Sequence, residues 1–281
     1  MMKTPAFSIL FLTGSLLLAA CQGSNTSSAL QMGEGDSIVG GSVASSRDFG
    51  RNTLVSLRRK ATDGIFCTGS LIHSRIVLTA AHCLKASGLT AEDIVIGFAA
   101  NPEARVDVDA AESHDGFQMN AERSFFGGSK IRITGDVALL RLVRSAPQGA
   151  QIADLPRAAV KPGQNIQVKI FGYGKTDYRQ TGVDGNLRLV DKAAFVESET
   201  PHLLIDDETD GHGTCSGDSG GPSFLIGAKR PTVMAVVSAT LSMGGFLSGR
   251  GQDVCRQKNG LTQTGYYLDW LLQKKAELLS Q

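Results

Sequence analysis

The sequence lacks a charge excess of either sign: 28 Lys and Arg stand against 27 Asp and Glu in 281 residues, a formal net charge of +1. Without a basic surplus there is no electrostatic footprint for nucleic acid, and an acidic partner is equally unprovided for. Neither C-x-x-C pairs nor histidines at ligand spacing beside the cysteines occur, which removes the common zinc patterns. The acidic residues between Val106 and Asp115 do not form a calcium-loop pattern. No nucleotide-binding loop is present, nor an internal repeat or a long low-complexity block within the folded part. Neither cofactor nor metal is therefore expected. Aromatic residues are scarce, at 6 %, whereas glycine is abundant, with 33 residues; that balance favours tight turns joining short strands over a helical bundle. The expected class is all-β. At 42 % hydrophobic, a chain of this length can bury one large core or two smaller ones packed together.

The longest apolar run, Ala6 to Ala20 behind Lys3, falls short of the roughly 20 residues a membrane span needs and reads as a secretion signal over residues 1–20. It ends in Leu18-Ala19-Ala20-Cys21, which resembles the lipobox of bacterial lipoproteins, where the cysteine is lipidated and becomes the new terminus. An ordinary cleavage site wants small residues at both A-x-A positions, and Leu18 occupies the first; the alternative is a plain signal with an incidental Cys21. Residues 21–37 are rich in Gly, Ser, Asn and Thr, the composition of a flexible tether or propeptide. The folded domain is expected over 38–281. Setting Cys21 aside leaves Cys67, Cys83, Cys215 and Cys255, an even number suited to an oxidising compartment and to two bridges in any of three connectivities.

Strands are expected over Thr53–Arg58, Gly69–Ile72, Arg75–Thr79, Asp93–Phe98, Asp136–Leu142, Asn165–Phe171, Leu187–Ala194 and Val233–Ala239, short apolar or alternating segments bounded by Gly, Asn, Asp and Pro. A helix is expected over Leu268–Leu279, with Leu268, Leu271, Leu272, Ala276 and Leu279 on its packing face. Three segments carry chemistry. Leu78-Thr79-Ala80-Ala81-His82-Cys83 runs a strand into a histidine, Gly135-Asp136-Val137-Ala138-Leu139-Leu140 opens a strand on an aspartate, and Gly217-Asp218-Ser219-Gly220-Gly221-Pro222 sets a serine among glycines. Alone, the histidine reads as structural and the aspartate as a turn residue. Together they supply what a serine hydroxyl needs to become a nucleophile: an imidazole base and a carboxylate that orients it. The glycines let the Gly217 and Ser219 amides converge on one spot, where they stabilise an oxyanion.

In this order the segments TAAHC, DVALL and GDSGGP resemble the chymotrypsin/trypsin family of serine proteases, and the resemblance spans Ile38 to the end. It implies two six-stranded antiparallel β-barrels with the active site in the cleft between them and a C-terminal α-helix. It further implies a catalytic triad of His82, Asp136 and Ser219, an oxyanion hole of Gly217 and Ser219, and disulfides Cys67–Cys83 and Cys215–Cys255. Ser238 is expected to hydrogen-bond Asp136, and Gly213, Thr214, Ser216, Ser238, Thr240 and Gly265 to form the substrate pocket. Ala239-Thr240 stands where the family has Trp-Gly.

Gly213 occupies the position at the base of the primary pocket, where cleavage after Lys or Arg requires a carboxylate. A small or medium apolar P1 residue is expected instead, unless His212 and Thr214 make the pocket polar or the Ser242–Val254 insertion reshapes it. Ile38-Val39-Gly40-Gly41 matches the terminus that the family frees by cleavage, whose ammonium pairs with the aspartate before the catalytic serine, here Asp218. The expectation is a zymogen, a monomer acting on proteins or peptides, attached to the membrane through Cys21 in the cell envelope until an activating protease cuts before Ile38 and releases it. The alternative is a catalytically silent homologue that binds peptides or partners as a lipoprotein.

Overall fold

The segment Ile76-Val77-Leu78-Thr79 is β-branched or aliphatic throughout and buried at all four positions. A strand with no exposed face must have a core on each side of it. Ile76 and Leu78 pack in one apolar cluster with Leu139, Phe171, Phe224 and Val236, while Val77 points the other way, into a cluster with Val55, Leu57, Ile96 and Leu140. The same alternation separates Phe171 from Val168 and Ile170, which belong to a third cluster with Val190, Leu204 and Val237. Three cores therefore stack in series, one inside each of two barrels and one between them.

The computed structural model describes residues 1–2, 38–123, 129–177, 179–243 and 255–281. The expectations for the signal, the tether, Cys21 and most of the Ser242–Val254 insertion lie outside the described residues. The chain divides into two units, Met1–Gly33 and Glu34–Gln281, and the fold below is that of the second. Its strands are β1 Ser42–Val43, β2 Leu54–Arg59, β3 Ile65–His73, β4 Ile76–Thr79, β5 Ile94–Phe98, β6 Asn101–Ser113, β7 Gln118–Arg123, β8 Ser129–Thr134, β9 Ala138–Leu142, β10 Asn165–Gly172, β11 Arg188–Phe195, β12 Leu203–Asp207, β13 Pro222–Leu225, β14 Val233–Thr240, β15 Ser242–Met243 and β16 Lys258–Gln263, with helices α1 His82–Lys85 and α2 Leu268–Ser280. β2-β3-β4-β9-β6-β5 closes one barrel; β10-β13-β14-β16-β12-β11 closes the other, with β1 added along β11. Every named ladder pairing is antiparallel, as expected of two six-stranded barrels. Closure leaves neither sheet with a long free edge.

All eight expected strands and the terminal helix form. β6 was not expected: Val106 and Val108 are buried while Asp107 and Asp109 point outward, so its acidic residues are the solvent face of an alternating strand. On α2 the packing face differs from the expected one. Leu271 and Leu278 are buried against Tyr267 and Leu139, Leu272 is 45 % exposed, and Ala276 is also exposed. Arg141 on β9 donates from Nη1 to the Leu278 carbonyl at 2.8 Å, satisfying a carbonyl that a helix end leaves unpaired.

Candidate active site

β4 and β9 are paired so that Thr79 lies opposite Ala138. Three residues past Thr79 the chain reaches His82, and two residues before Ala138 it leaves Asp136, so one register brings both to the same end of the first barrel. Asp136 is fully buried and accepts three hydrogen bonds: from the His82 backbone amide at 2.8 Å, from the His82 ring Nδ1 at 2.8 Å, and from the Ser238 hydroxyl. Burial pushes its pKa up, but the His82 charge and these donors more than offset that and hold it below its ordinary value. Nδ1 therefore carries the ring proton in the neutral tautomer and leaves Nε2 as the basic nitrogen.

Ser219 comes from the second barrel and is held by both. Its carbonyl accepts from the Thr68 amide on β3 at 2.8 Å, while the Gly220 amide donates to the Val237 carbonyl at 2.7 Å. Gly220 has φ +79°, and a Cβ there would stand 2.0 Å from Thr79 Oγ1 and 2.4 Å from the Thr68 carbonyl oxygen; only glycine lets the loop seat at the barrel junction. Gly217, at φ +104°, turns the preceding peptide, and its carbonyl accepts from Thr68 Oγ1 at 2.9 Å. Among the described residues, neither the Gly217 nor the Ser219 amide donates to a protein acceptor. Ser219 and His82 line one cavity of about 200 Å³.

The floor of that cavity departs from expectation. Thr214, Ser216, Ser238 and Thr240 line it, with Met119 on β7 and Asn259 on β16. Gly265 does not: a Cβ there would stand 2.4 Å from the Ala158 carbonyl oxygen, and the glycine opposite Ala239 is Gly260, five residues earlier. Gly213 has no empty space above its Cα. A Cβ at that position would lie 2.1 Å from Cδ of Glu208, a fully buried residue whose Oε1 accepts from the Thr214 amide at 2.6 Å and the Thr214 hydroxyl at 2.7 Å. Asn259 Nδ2 donates to Thr214 Oγ1. Burial, then the neighbouring Asp206 charge, push the Glu208 pKa well above the carboxyl range. Neither Gly213 nor Glu208 lines the cavity itself; behind Thr214 there stands a buried carboxyl group that sequence reasoning missed. His212 lies elsewhere, 53 % exposed in its side chain and against Gly40.

Ile38 is fully buried in the core of the second barrel, and Val39 pairs with Gly213, whose amide donates to the Val39 carbonyl at 2.9 Å. Asp218 is buried and accepts from the Gly174 amide at 2.7 Å and the Cys215 amide at 2.8 Å. Burial still pushes its pKa up to about 7, because two amides do not replace a cation. Cys67–Cys83 and Cys215–Cys255 are both disulfide-bonded. Since Cys67 and Cys83 are so bonded, the group they form with His82 has no thiolate to offer a metal.

Three comparisons place this geometry among known proteins. The chain is 28 % identical to brachyurin of Leptuca pugilator over 74 % of its own length and 87 % of that protein. It is 32 % identical to serine protease SP24D of Anopheles gambiae, over 68 % and 69 % of the two chains. A solved structure of a mutant of human heparin binding protein superposes with a TM-score of 0.64 at 22 % identity, over 83 % of this chain and 95 % of that one, a likeness of fold. The family model described as Trypsin matches residues 38–271, and the chain belongs to that family of trypsin-like serine proteases.

Proposed function

We propose that this chain is a secreted serine endopeptidase that works through an acyl-enzyme on Ser219. His82 Nε2 takes the proton from Ser219 Oγ as that oxygen attacks the scissile carbonyl. The carbonyl oxygen becomes an oxyanion received by the Gly217 and Ser219 amides. Asp136 keeps the His82 ring in the right tautomer and stabilises the imidazolium. His82 then gives the proton to the leaving amine, the C–N bond breaks, and water repeats the sequence to release the acyl group. The observation that carries this reading is the buried Asp136 bonded to His82 at both Nδ1 and the backbone amide, with Ser219 facing the same cavity. Its test is a fluorophosphonate probe applied after processing: the wild type is labelled and Ser219→Ala is not. Absence of wild-type labelling on material verified to begin at Ile38 sinks it in favour of a peptide-binding homologue.

The polypeptide is a zymogen in this reading. Cleavage before Ile38 by a separate protease frees an ammonium that pairs with Asp218, the buried carboxylate without a cation. The Val39–Gly213 bridge ties the same segment to the residue just before Thr214, which lines the cavity. Lipidation of Cys21 anchors the precursor, and the same cut releases the enzyme from the membrane. At neutral pH the protonated Glu208 gives the pocket no counterion for Lys or Arg, and a cavity of about 200 Å³ fits a small or medium uncharged P1 side chain. The two disulfides accord with secretion into an oxidising compartment.

A further inference from the structure

A second cavity, of about 410 Å³, shares no lining residue with the catalytic cleft. It opens where β2, β5 and β6 of the first barrel meet β1 and the segment leading into β11. Three arginines line it, Arg51, Arg58 and Arg105. Gly97 makes room for two of them: a Cβ there would lie 3.2 Å from Arg58 Cδ and 3.3 Å from Arg105 Nη1. Each guanidinium is braced from its own side. Arg51 Nη1 donates to the Ala99 carbonyl at 2.7 Å, Arg105 Nη1 to the Pro102 and Ala104 carbonyls at 2.7 and 2.9 Å, and Arg58 and Arg105 share Asp63 in forked pairs. Arg51 Nε is buried with no acceptor.

The charges do not balance. Asp63 is the single carboxylate against three guanidiniums, which leaves two positive charges. Asp107 pairs with Lys60 at 2.9 Å and Asp184 with Arg188 at 2.8 Å, not with these arginines. Tyr173 stands in the cavity wall, 7 % exposed, near enough for all three arginines to act on its phenol. Neither its hydroxyl nor that of Ser56, also in the wall, has a protein partner among the described residues. Uncompensated guanidiniums in a concave, partly buried site attract an anion, and their forks match tetrahedral oxyanions. The remaining wall, Val43, Ala44, Phe98 and Leu187, is apolar and suits an organic body attached to that anion.

We propose that this cavity is a binding site for a dianionic phosphate monoester, its phosphate held by Arg51, Arg58 and Arg105 with Tyr173 and Ser56 donating. The site is independent of the triad. Phenyl phosphate titrated calorimetrically into the full chain at pH 8 and low salt should bind with Kd under ~1 mM. Arg51→Gln and Arg105→Gln should each weaken it about tenfold, and Tyr173→Phe, which deletes one donor and disturbs no internal bond, about threefold. Inorganic phosphate, without the ring, and benzoate, with a single charge, should both bind more weakly. Labelling of Ser219 by fluorophosphonate should be unchanged in all three variants, so a failure of the triad reading leaves this test intact. Silence up to ~10 mM phenyl phosphate, undiminished binding in Tyr173→Phe and the arginine variants, or benzoate binding as tightly, overturns the assignment. An arginine variant that fails to fold leaves Tyr173→Phe and the ligand series to decide it.

Discussion

Two buried carboxyl groups stand behind residues that line one cavity, Asp136 behind His82 and Ser238 and Glu208 behind Thr214, and they behave oppositely. Asp136 has three hydrogen-bond donors and a histidine ring beside it, and its pKa is lowered. Glu208 also has three donors, the Thr214 amide and hydroxyl and Asn259 Nδ2 at 3.5 Å, all of them on Oε1, with Oε2 unpartnered and a second acid, Asp206, as neighbour; its pKa is raised. Lys192 compensates only the far side of this pair, 3.4 Å from Asp206 and 3.1 Å from Asp210. Burial and the number of donors are common to both; the sign of the nearest charge and the spread of donors over one oxygen or two set the directions apart. The catalytic side needs a permanent anion to stabilise imidazolium. On the Thr214 side, Glu208 fills the volume that a side chain at 213 would occupy.

The hardest test of that contrast is to make the two sides alike. Asp136→Asn keeps the shape but presents an amide, removes the charge and disfavours the productive tautomer; kcat/KM should fall about 10⁴-fold, the scale of this change in trypsin-like triads. A loss under about tenfold at pH 7 would mean that Asp136 does not orient His82. Asp218 is the intermediate case, with two amide donors, no cation and a pKa near 7. Because its folded value lies above the ordinary carboxyl value, its stabilising contribution is full below about pH 4 and is lost as pH rises through 7. The unprocessed chain should therefore lose a few kcal/mol between pH 4 and 8 relative to material beginning at Ile38, whose ammonium keeps Asp218 ionised. Denaturant midpoints of the two forms across that range measure it, and parallel curves would refute the pairing.

The sides also differ in how legible they were. His82, Asp136 and Ser219 sit in contiguous segments whose glycines and flanking strands are themselves the signal, and the antiparallel register of β4 and β9 follows from apolar runs visible in the sequence. Glu208 lies in Asp206-Asp207-Glu208-Thr209-Asp210, which reads as a solvated acidic turn. Only the pairing of Asp206 with Asn259 across β12 and β16 brings the stretch behind the pocket. The resemblance puts Gly265 in the pocket wall, whereas the position is set by the register of β14 against β16, with a shift between Val237 and Ala239. β6 escaped notice because its outward aspartates hid a period-two pattern. Local chemistry was readable; contacts made by register across distant strands were not.

Smaller effects sharpen the comparison on the specificity side. Cleavage after Arg, measured against cleavage after Ala on matched peptides, should rise about tenfold as pH climbs from 7 through the alkaline range where Glu208 loses its proton. Arginine stays charged throughout, and any alkaline loss of the Ile38 ammonium cancels in the ratio. Glu208→Gln should flatten the curve at its neutral-pH level; a rise that persists in the variant would remove Glu208 from the pocket's recognition of P1.

The smallest change tests what a single donor to Asp136 contributes. Ser238→Ala removes one of the three donors to Asp136 without touching His82, Ser219 or the net charge. One charged hydrogen bond is worth about 1.5 kcal/mol, so kcat/KM should fall roughly tenfold or less at pH 8. Glycine at 238 should behave as alanine does, and threonine, which keeps the hydroxyl, should recover most of the loss. If kcat/KM is unchanged in Ser238→Ala, the placement of Asp136 rests on its two bonds from His82 alone.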